Sequence, residues 1–267
     1  MQEKMSEINK KAWSYRSYEF WNKIKGTPCE VAQDMVKDPE VYIRRHKEYL
    51  GNVKGKKIAN LLGSNGRKAV PLALLGAEVT VVDISPENKR YALELAKEAG
   101  AHINYILSDL TKYDYESRKY YFDIAYLEGG ILHYFSDIEE LAKMLYTILD
   151  YGGKLVLDDF HPVRKMIKVN EDKLELEGNY FEDNYKYGDV AYKSYFPEGE
   201  QAEFPDCLMR YWTMGEIVSA FAKAGFVIEQ LVETPRYDNH KHIPGSFTIV
   251  ANKYKVDKYK ILWGDTI

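Results

Sequence analysis

The sequence predicts an α/β fold built on a mostly parallel sheet with helices on both faces. Two observations carry this. Between Lys57 and Asp159, short apolar runs alternate with amphipathic helical segments, the pattern of βαβ units whose strands are buried on both sides. Further on, two apolar runs are joined by "TPRYDNHKHIPG", which has prolines, a glycine and no helical periodicity. Parallel neighbours need a long, usually helical crossover, so this link favours an antiparallel hairpin.

The elements follow in order. Residues 1–24 read as a helix containing Trp13, Phe20 and Trp21. A second helix opens at "TPCE", where Thr27 caps, Pro28 takes the first helical position and Glu30 completes a capping box. "PEVYIRRHKEYL" reads as a third. "KIANLL" is a buried strand. "GRKAVPLALLG" is a helix in which Pro71 demands a kink or a late start, because it cannot donate to the carbonyl of Arg67. The strand "EVTVVD" leads to a helix capped by Ser85, with Pro86 first, a buried stripe of Ala92, Leu95, Ala96 and Ala99, and Gly100 as its stop. "INYILSD" and "YFDIAYLEGG" are strands. "SDIEELAKMLYTILDYGG" is a helix with a Ser136/Glu139 capping box and a core face of Ile138, Leu141, Ala142, Leu145 and Ile148. "KLVLDD" is the fifth strand. After about fifty residues, a connection far longer than usual, come the helix "TMGEIVSAFAKAG" and the strands "FVIEQLVE" and "SFTIVANK".

Composition narrows the function classes. The 267 residues carry a net charge of −4 and no basic stripe, which argues against a nucleic-acid partner. The start, "MQEKMSEINKKAW", mixes charge signs and lacks the apolar core of a signal peptide. No apolar run approaches membrane-spanning length. Cys29 and Cys207 have no C-x-x-C spacing, so a cytoplasmic protein with reduced thiols is expected.

The stretch "NLLGSNGRKA" follows the first strand where a nucleotide-binding glycine loop would lie. A D/E-x-G-x-G-x-G pattern puts Asn60 at the acidic position, Leu62 and Ser64 in place of two glycines, and Gly66 on the third, with Gly63 one place out of phase. The next strand ends in Asp83, 20 residues after Gly63, where a carboxylate can accept both hydrogen bonds of a ribose diol. The third strand ends at Asp109 and the fourth at Glu128. All lie at the carboxyl edge of the sheet, where ligands bind open α/β sheets.

With "GAEVTVVDIS", "GGILHYFSDIEEL" and "LDYGGKLVLDDFHP", residues 55–160 resemble the class I S-adenosylmethionine-dependent methyltransferases that act on small molecules. The resemblance implies a three-layer, Rossmann-like, seven-stranded sheet, mostly parallel with one antiparallel edge hairpin strand, and a single domain over residues 1–267. Residues 1–50 form an N-terminal helical cap, 51–160 the cofactor-binding half, 161–211 an insertion or lid, and 212–267 the C-terminal helix and hairpin. S-adenosyl-L-methionine is the implied cofactor, held by Asn60, Gly63, Ser64, Gly66, Asp83, Ile84, Asp109, Leu110 and Glu128. In that family Asp109 stands where the adenine amino group is contacted.

Methyl transfer is an in-line displacement at an activated carbon, so the protein mainly aligns the reactants and excludes water. A hydroxyl acceptor also needs a base. His133 and His161, at the mouths of the fourth and fifth strands, are the candidates. The insertion supplies Tyr180, Phe181, Tyr185, Tyr187, Tyr192, Tyr195, Phe196 and Phe204, either as a pocket wall or as hairpins whose aromatics pack together, with a homodimer interface as a further use. Trp13 and Trp21 either seal the cofactor or staple the first helix to the sheet. "HKH" at 240–242 lacks the spacing of a zinc site, and no metal is expected. Two rival functions stay open: a nicotinamide-dependent oxidoreductase, and a degenerate cofactor-binding protein motivated by Asn60, Leu62 and Ser64.

Overall fold

The computed structural model describes residues 1–170, 173–236 and 241–255. Two helices, α1 (Gln2–Ser14) and α2 (Ser17–Lys25), occupy the stretch expected to be one. No glycine or proline marks the break. Arg16 makes it by adopting a left-handed backbone with φ of 54°. Its guanidinium is held there by Glu19 at 2.6 Å and Glu200 at 2.5 Å, above the Phe196 ring at 4.4 Å. α3 (Pro28–Met35) has the expected Thr27/Glu30 capping box. The third expected helix is instead a short 3-10 turn over Pro39–Tyr42 followed by the single turn α4 (Lys47–Leu50).

The alternating core then runs β1 (Lys57–Leu61), α5 (Ala69–Leu74), β2 (Glu78–Asp83), α6 (Pro86–Glu98), β3 (Asn104–Leu107), β4 (Phe122–Glu128), α7 (Ile138–Ile148) and β5 (Leu149–Phe160). α5 starts late, so Pro71 falls in its first turn, where no intrahelical donor is missed. Ser85 caps α6. The cap of α7 is Asp137, which accepts from Glu140 N, rather than the expected Ser136/Glu139 box. In the insertion, β6 (Ile167–Asn170) pairs with β7 (Lys173–Leu176), and β8 (Tyr185–Gly188) and the turn α8 (Glu198–Gln201) precede β9 (Cys207–Arg210), which pairs with β8. α9 (Met214–Ala224), with its Thr213/Glu216 capping box, leads to β10 (Val227–Pro235) and β11 (Pro244–Asn252).

The main sheet has seven strands in the order β10-β11-β5-β4-β1-β2-β3. β11 runs antiparallel to both β10 and β5, and the other pairings are parallel. The expected hairpin is present, but the reversed strand is the penultimate one and β10 forms the edge. Residues 237–240 of the link, with His240, lie outside the described residues.

Apolar side chains fill both faces. One layer packs α7 and α9 on the sheet through Leu141, Leu145, Ile217 and Phe221. The opposite layer packs α3, α5 and α6 through Val31, Leu72, Tyr91 and Leu95. A third cluster joins the cap to the insertion: Ala12 and Phe20 pack on Tyr192, Phe196, Phe204 and Cys207. Asn9 locks this contact, donating to Leu208 O at 2.9 Å and accepting from Leu208 N at 2.8 Å. The cap and insertion are thereby clasped over the carboxyl edge of the sheet. Among the described residues, no helix is long and apolar enough to cross a membrane.

Candidate active site

The turn after β1 is held in an unusual shape. Leu62 and Ser64, at the two positions where glycines were missing, both take left-handed backbones with φ of 49°. That conformation costs a side-chain-bearing residue about 1–3 kcal/mol and persists where surroundings enforce it. Here Asp83 Oδ2 accepts the Ser64 N–H at 3.0 Å, and the Tyr105 hydroxyl donates to Ser64 O at 2.7 Å. Gly63 has no room for a side chain: a Cβ would lie 2.5 Å from Asn60 Oδ1 and 2.8 Å from Val81. Gly66, with φ of +77°, lets the turn sit close on α6, where an added Cβ would lie 2.8 Å from Ala92 Cβ.

Above this turn lies a cavity of about 320 Å³. Asn60, Gly63, Ser64, Asp83, Ile84, Asp109, Leu110 and Glu128 line it. Gly66 is the one residue of the expected set that does not, because its part is packing under the turn. The cap closes the other side with Trp13 and Trp21. Trp21 Nε1 donates to Asn88 Oδ1 at 2.8 Å, and the Asn88 amide points to Asp83 Oδ1 at 3.4 Å. Trp21 therefore lines the cavity and also staples α2 to α6.

Buried polar atoms normally find partners. Around this cavity several do not. Asn60 Oδ1, Ser64 Oγ, Asn65 Nδ2, Arg67 Nε and Asp109 Oδ2 are buried without a hydrogen bond, and all five residues line the cavity. The other Asp109 oxygen is spent on the Thr111 N–H and hydroxyl, at 3.0 and 2.9 Å. This set of donors and acceptors fits a polar, nucleoside-like ligand. Asp83 accepts from Ser64 N, Ser85 N and Asn88, and a carboxylate has about four acceptor sites. Burial pushes its pKa up against these hydrogen bonds.

Glu128 ends β4 in a polar chain. Lys68 Nζ reaches Glu128 Oε2 at 3.1 Å, and the Tyr126 hydroxyl donates to the same oxygen at 2.9 Å. Tyr126 contacts His46 Nδ1 at 2.9 Å, and His46 Nε2 lies 3.4 Å from Asp158. Arg45 pairs with Asp158 at 2.8 Å. Arg67 and Lys68 escaped the sequence reading. Their position directly after the glycine turn was the available signal.

A second cavity, of about 470 Å³, adjoins the first. Trp13, Gly129, Gly130 and Tyr134 line both. The insertion contributes His161, Pro162, Arg164, Lys165, Gly188, Asp189 and Tyr211, so part of it is a pocket wall. Its buried aromatics Tyr192, Phe196 and Phe204 instead pack together against the cap, while Phe181 stays 80% exposed.

Both candidate histidines line the second cavity. His161 is occupied: Nδ1 accepts from Val163 N at 3.2 Å and Nε2 meets Glu233 at 2.7 Å. His133 makes ring contacts with Tyr134, Phe160 and Tyr211, and its Cε1 approaches within 3.4 Å of where a Gly130 Cβ would be. It thus stands at the junction of the cavities. Burial pushes its pKa down to about 4. Asp159 shapes the same junction by accepting from Gly130 N, Ile131 N and Leu132 N at 2.9, 3.0 and 2.7 Å. Burial lifts its pKa to about 6 in spite of those donors. Asp158, Asp159 and His161 thus serve different partners, and His242 is exposed.

The family model described as "Methyltransferase domain" matches residues 62–157. No curated protein matches the chain significantly. Among solved structures, an S-adenosylmethionine-dependent methyltransferase from Mesorhizobium loti is 21% identical with a TM-score of 0.63, over 79% of this chain and 96% of that one. One described as a putative S-adenosylmethionine-dependent methyltransferase, from Listeria monocytogenes, is 18% identical with a TM-score of 0.65, over 80% and 98%. Magnesium protoporphyrin IX methyltransferase from Synechocystis PCC 6803, with bound S-adenosylhomocysteine, is 17% identical with a TM-score of 0.57, over 93% and 99%. These likenesses are of fold.

Proposed function

We propose that this chain, whose residues 62–157 match a methyltransferase domain, is an S-adenosylmethionine-dependent enzyme that methylates a small-molecule acceptor held in the second cavity. The observation that carries this is the pair of adjoining cavities: one ringed by unpartnered polar atoms, the other by aromatic rings, meeting at Gly129 and Gly130. The antiparallel pairing of β10 with β11 departs from the continued βαβ pattern of a nicotinamide-binding domain, which favours the methyl-transfer reading.

When bound, S-adenosylmethionine supplies a methyl group activated by sulfonium. The protein's own groups divide the binding work. Asp83 takes a ribose hydroxyl on its remaining acceptor site, and the free Asp109 oxygen takes the adenine amino group. Glu128, with Asn60 beside it, receives the ammonium in place of the missing acid at position 60. Arg67 and Lys68 supply positive charge for the carboxylate. Trp13, Trp21 and the clasped insertion keep water out, which strengthens each polar contact.

His133 is the proton acceptor when the acceptor is a hydroxyl. Its place at the junction of the cavities carries this role; burial leaves it neutral at neutral pH, and a weaker base than a free imidazole. His161 instead positions the wall, because both of its nitrogens are engaged within the protein.

The test is turnover. Protein, S-adenosylmethionine and a panel of phenols, amines and thiols are incubated and read by mass spectrometry. Formation of S-adenosylhomocysteine together with an acceptor one methyl heavier supports the reading. A panel returning neither, with cofactor bound, counts against a small acceptor.

A further inference from the structure

The second cavity holds a buried cation, Lys165, that methyl transfer itself does not require. Arg164, Lys165 and Arg236 line it, against Asp159 and Asp189. Both acids are already committed. Asp159 accepts from the backbone around Gly130, and Asp189 pairs with Lys193 at 2.6 Å. Lys165 Nζ is buried without a hydrogen-bond partner. The two acids that act on it electrostatically, Glu182 and Glu216, have other partners: Glu182 pairs with Lys186 at 2.5 Å, and Glu216 with Arg210 at 3.4 Å. A buried ammonium with no acceptor is costly unless something supplies the missing charge.

The cation also stands at a defined place. Tyr211 lies between it and the junction, its ring 4.8 Å from Lys165 Nζ and 6.1 Å from the His133 ring. On the other side, Arg164 sits over Phe160 at 4.3 Å, and Phe160 lies parallel to His133 with centroids 6.5 Å apart. Flat apolar surfaces therefore lead from the junction to a positive end, a shape and polarity suited to one or two fused aromatic rings with an anionic substituent.

Resting on the methyl-transfer reading, we propose that the acceptor is a small aromatic molecule bearing an anion, carboxylate or phosphate, which Lys165 receives while the methylated group lies at Gly130 and His133. Lys165 is then a specificity determinant, binding the end of the acceptor remote from the reaction.

The test is calorimetric binding of four matched probes: 6-hydroxy-2-naphthoate, 6-hydroxy-2-naphthylphosphonate, 6-hydroxy-2-naphthamide and 6-(aminomethyl)-2-naphthol, each with and without saturating S-adenosylhomocysteine. One of the anions should bind at least ~10-fold more tightly than the amide, the scale of one charge-assisted contact, and the amine most weakly. Which anion leads identifies the carboxylate or the phosphate source. Lys165→Met should bring anion and amide within about twofold, and Lys165→Arg should keep the preference. Amide or amine binding as tightly as the anions, no binding by any probe, or an unchanged preference in Lys165→Met overturns the proposal. If S-adenosylhomocysteine fails to bind while the anion preference holds, it is the methyl-transfer reading that falls instead.

Discussion

Asp83 Oδ2 accepts the backbone N–H of Ser64 at 3.0 Å, tying the end of β2 to a turn in which Leu62 and Ser64 sit in left-handed conformations without being glycine. The contact gives Asp83 two tasks, holding the turn and receiving a ribose. Asp83→Ala should therefore weaken S-adenosylhomocysteine binding by roughly 1.5–3 kcal/mol, the scale of hydrogen bonds to a charged group. Asp83→Asn, which keeps one acceptor oxygen, should lose less. Calorimetric titration of the folded variants checks this; unchanged affinity in Asp83→Ala would remove Asp83 from the site.

Glu128 and Arg67 are assigned to the amino-acid end of the cofactor. Glu128→Gln and Arg67→Met should each weaken S-adenosylhomocysteine binding by about 1–3 kcal/mol. Both should leave the affinity for 5′-methylthioadenosine, which lacks that end, unaltered. Asp83→Ala should weaken both ligands. Equal losses for the two ligands in Glu128→Gln would place Glu128 elsewhere.

This division shows what the sequence could disclose. Strand and helix identity in the alternating core and at the C-terminal end was legible because apolar periods and caps such as Thr27, Ser85 and Thr213 are local. Asp83 and Asp109 were legible because strand ends in an alternating sheet fall on one edge. The break at Arg16 was not, since two of the groups that hold its guanidinium, Glu200 and Phe196, lie far away in the chain. The contacts of Trp21 with Asn88 and of Asn9 with Leu208 likewise join distant segments and leave no periodicity. The α7 cap fell on Asp137 rather than its neighbour because either side chain suits that position and only the backbone path chooses.

The two histidines should separate in kinetics. His133→Gln should lower kcat for a hydroxyl acceptor by about 10²–10⁴ with cofactor affinity intact. His161→Gln should loosen the wall, and so lower stability and acceptor affinity together. The reverse pattern would exchange their roles.

The pH dependence follows from His133. Its pKa in the folded protein, about 4, lies below the ordinary 6.5. The neutral, proton-accepting form is therefore present at neutral pH and is lost only as pH falls through about 4. Turnover of a hydroxyl acceptor should show no histidine limb near 6.5 in cofactor-saturated profiles, provided the fold is intact. A limb near 6.5 that vanishes in His133→Gln would contradict the burial argument.

Asn9 tests the clasp. Asn9→Ala breaks two buried hydrogen bonds to Leu208 and leaves a peptide group unpaired, costing about 1–3 kcal/mol. Denaturant titration should show the loss, and acceptor KM should rise. Unchanged stability and KM would mean that the aromatic cluster alone holds cap to insertion.

Calorimetric titration of the purified protein with S-adenosylhomocysteine, run beside NADH, tests whether the first cavity is a sulfonium-cofactor site. Saturable binding of S-adenosylhomocysteine at one site per chain, with no heat from NADH, is the expected result. Absence of S-adenosylhomocysteine binding, or tighter binding of NADH, would contradict that assignment.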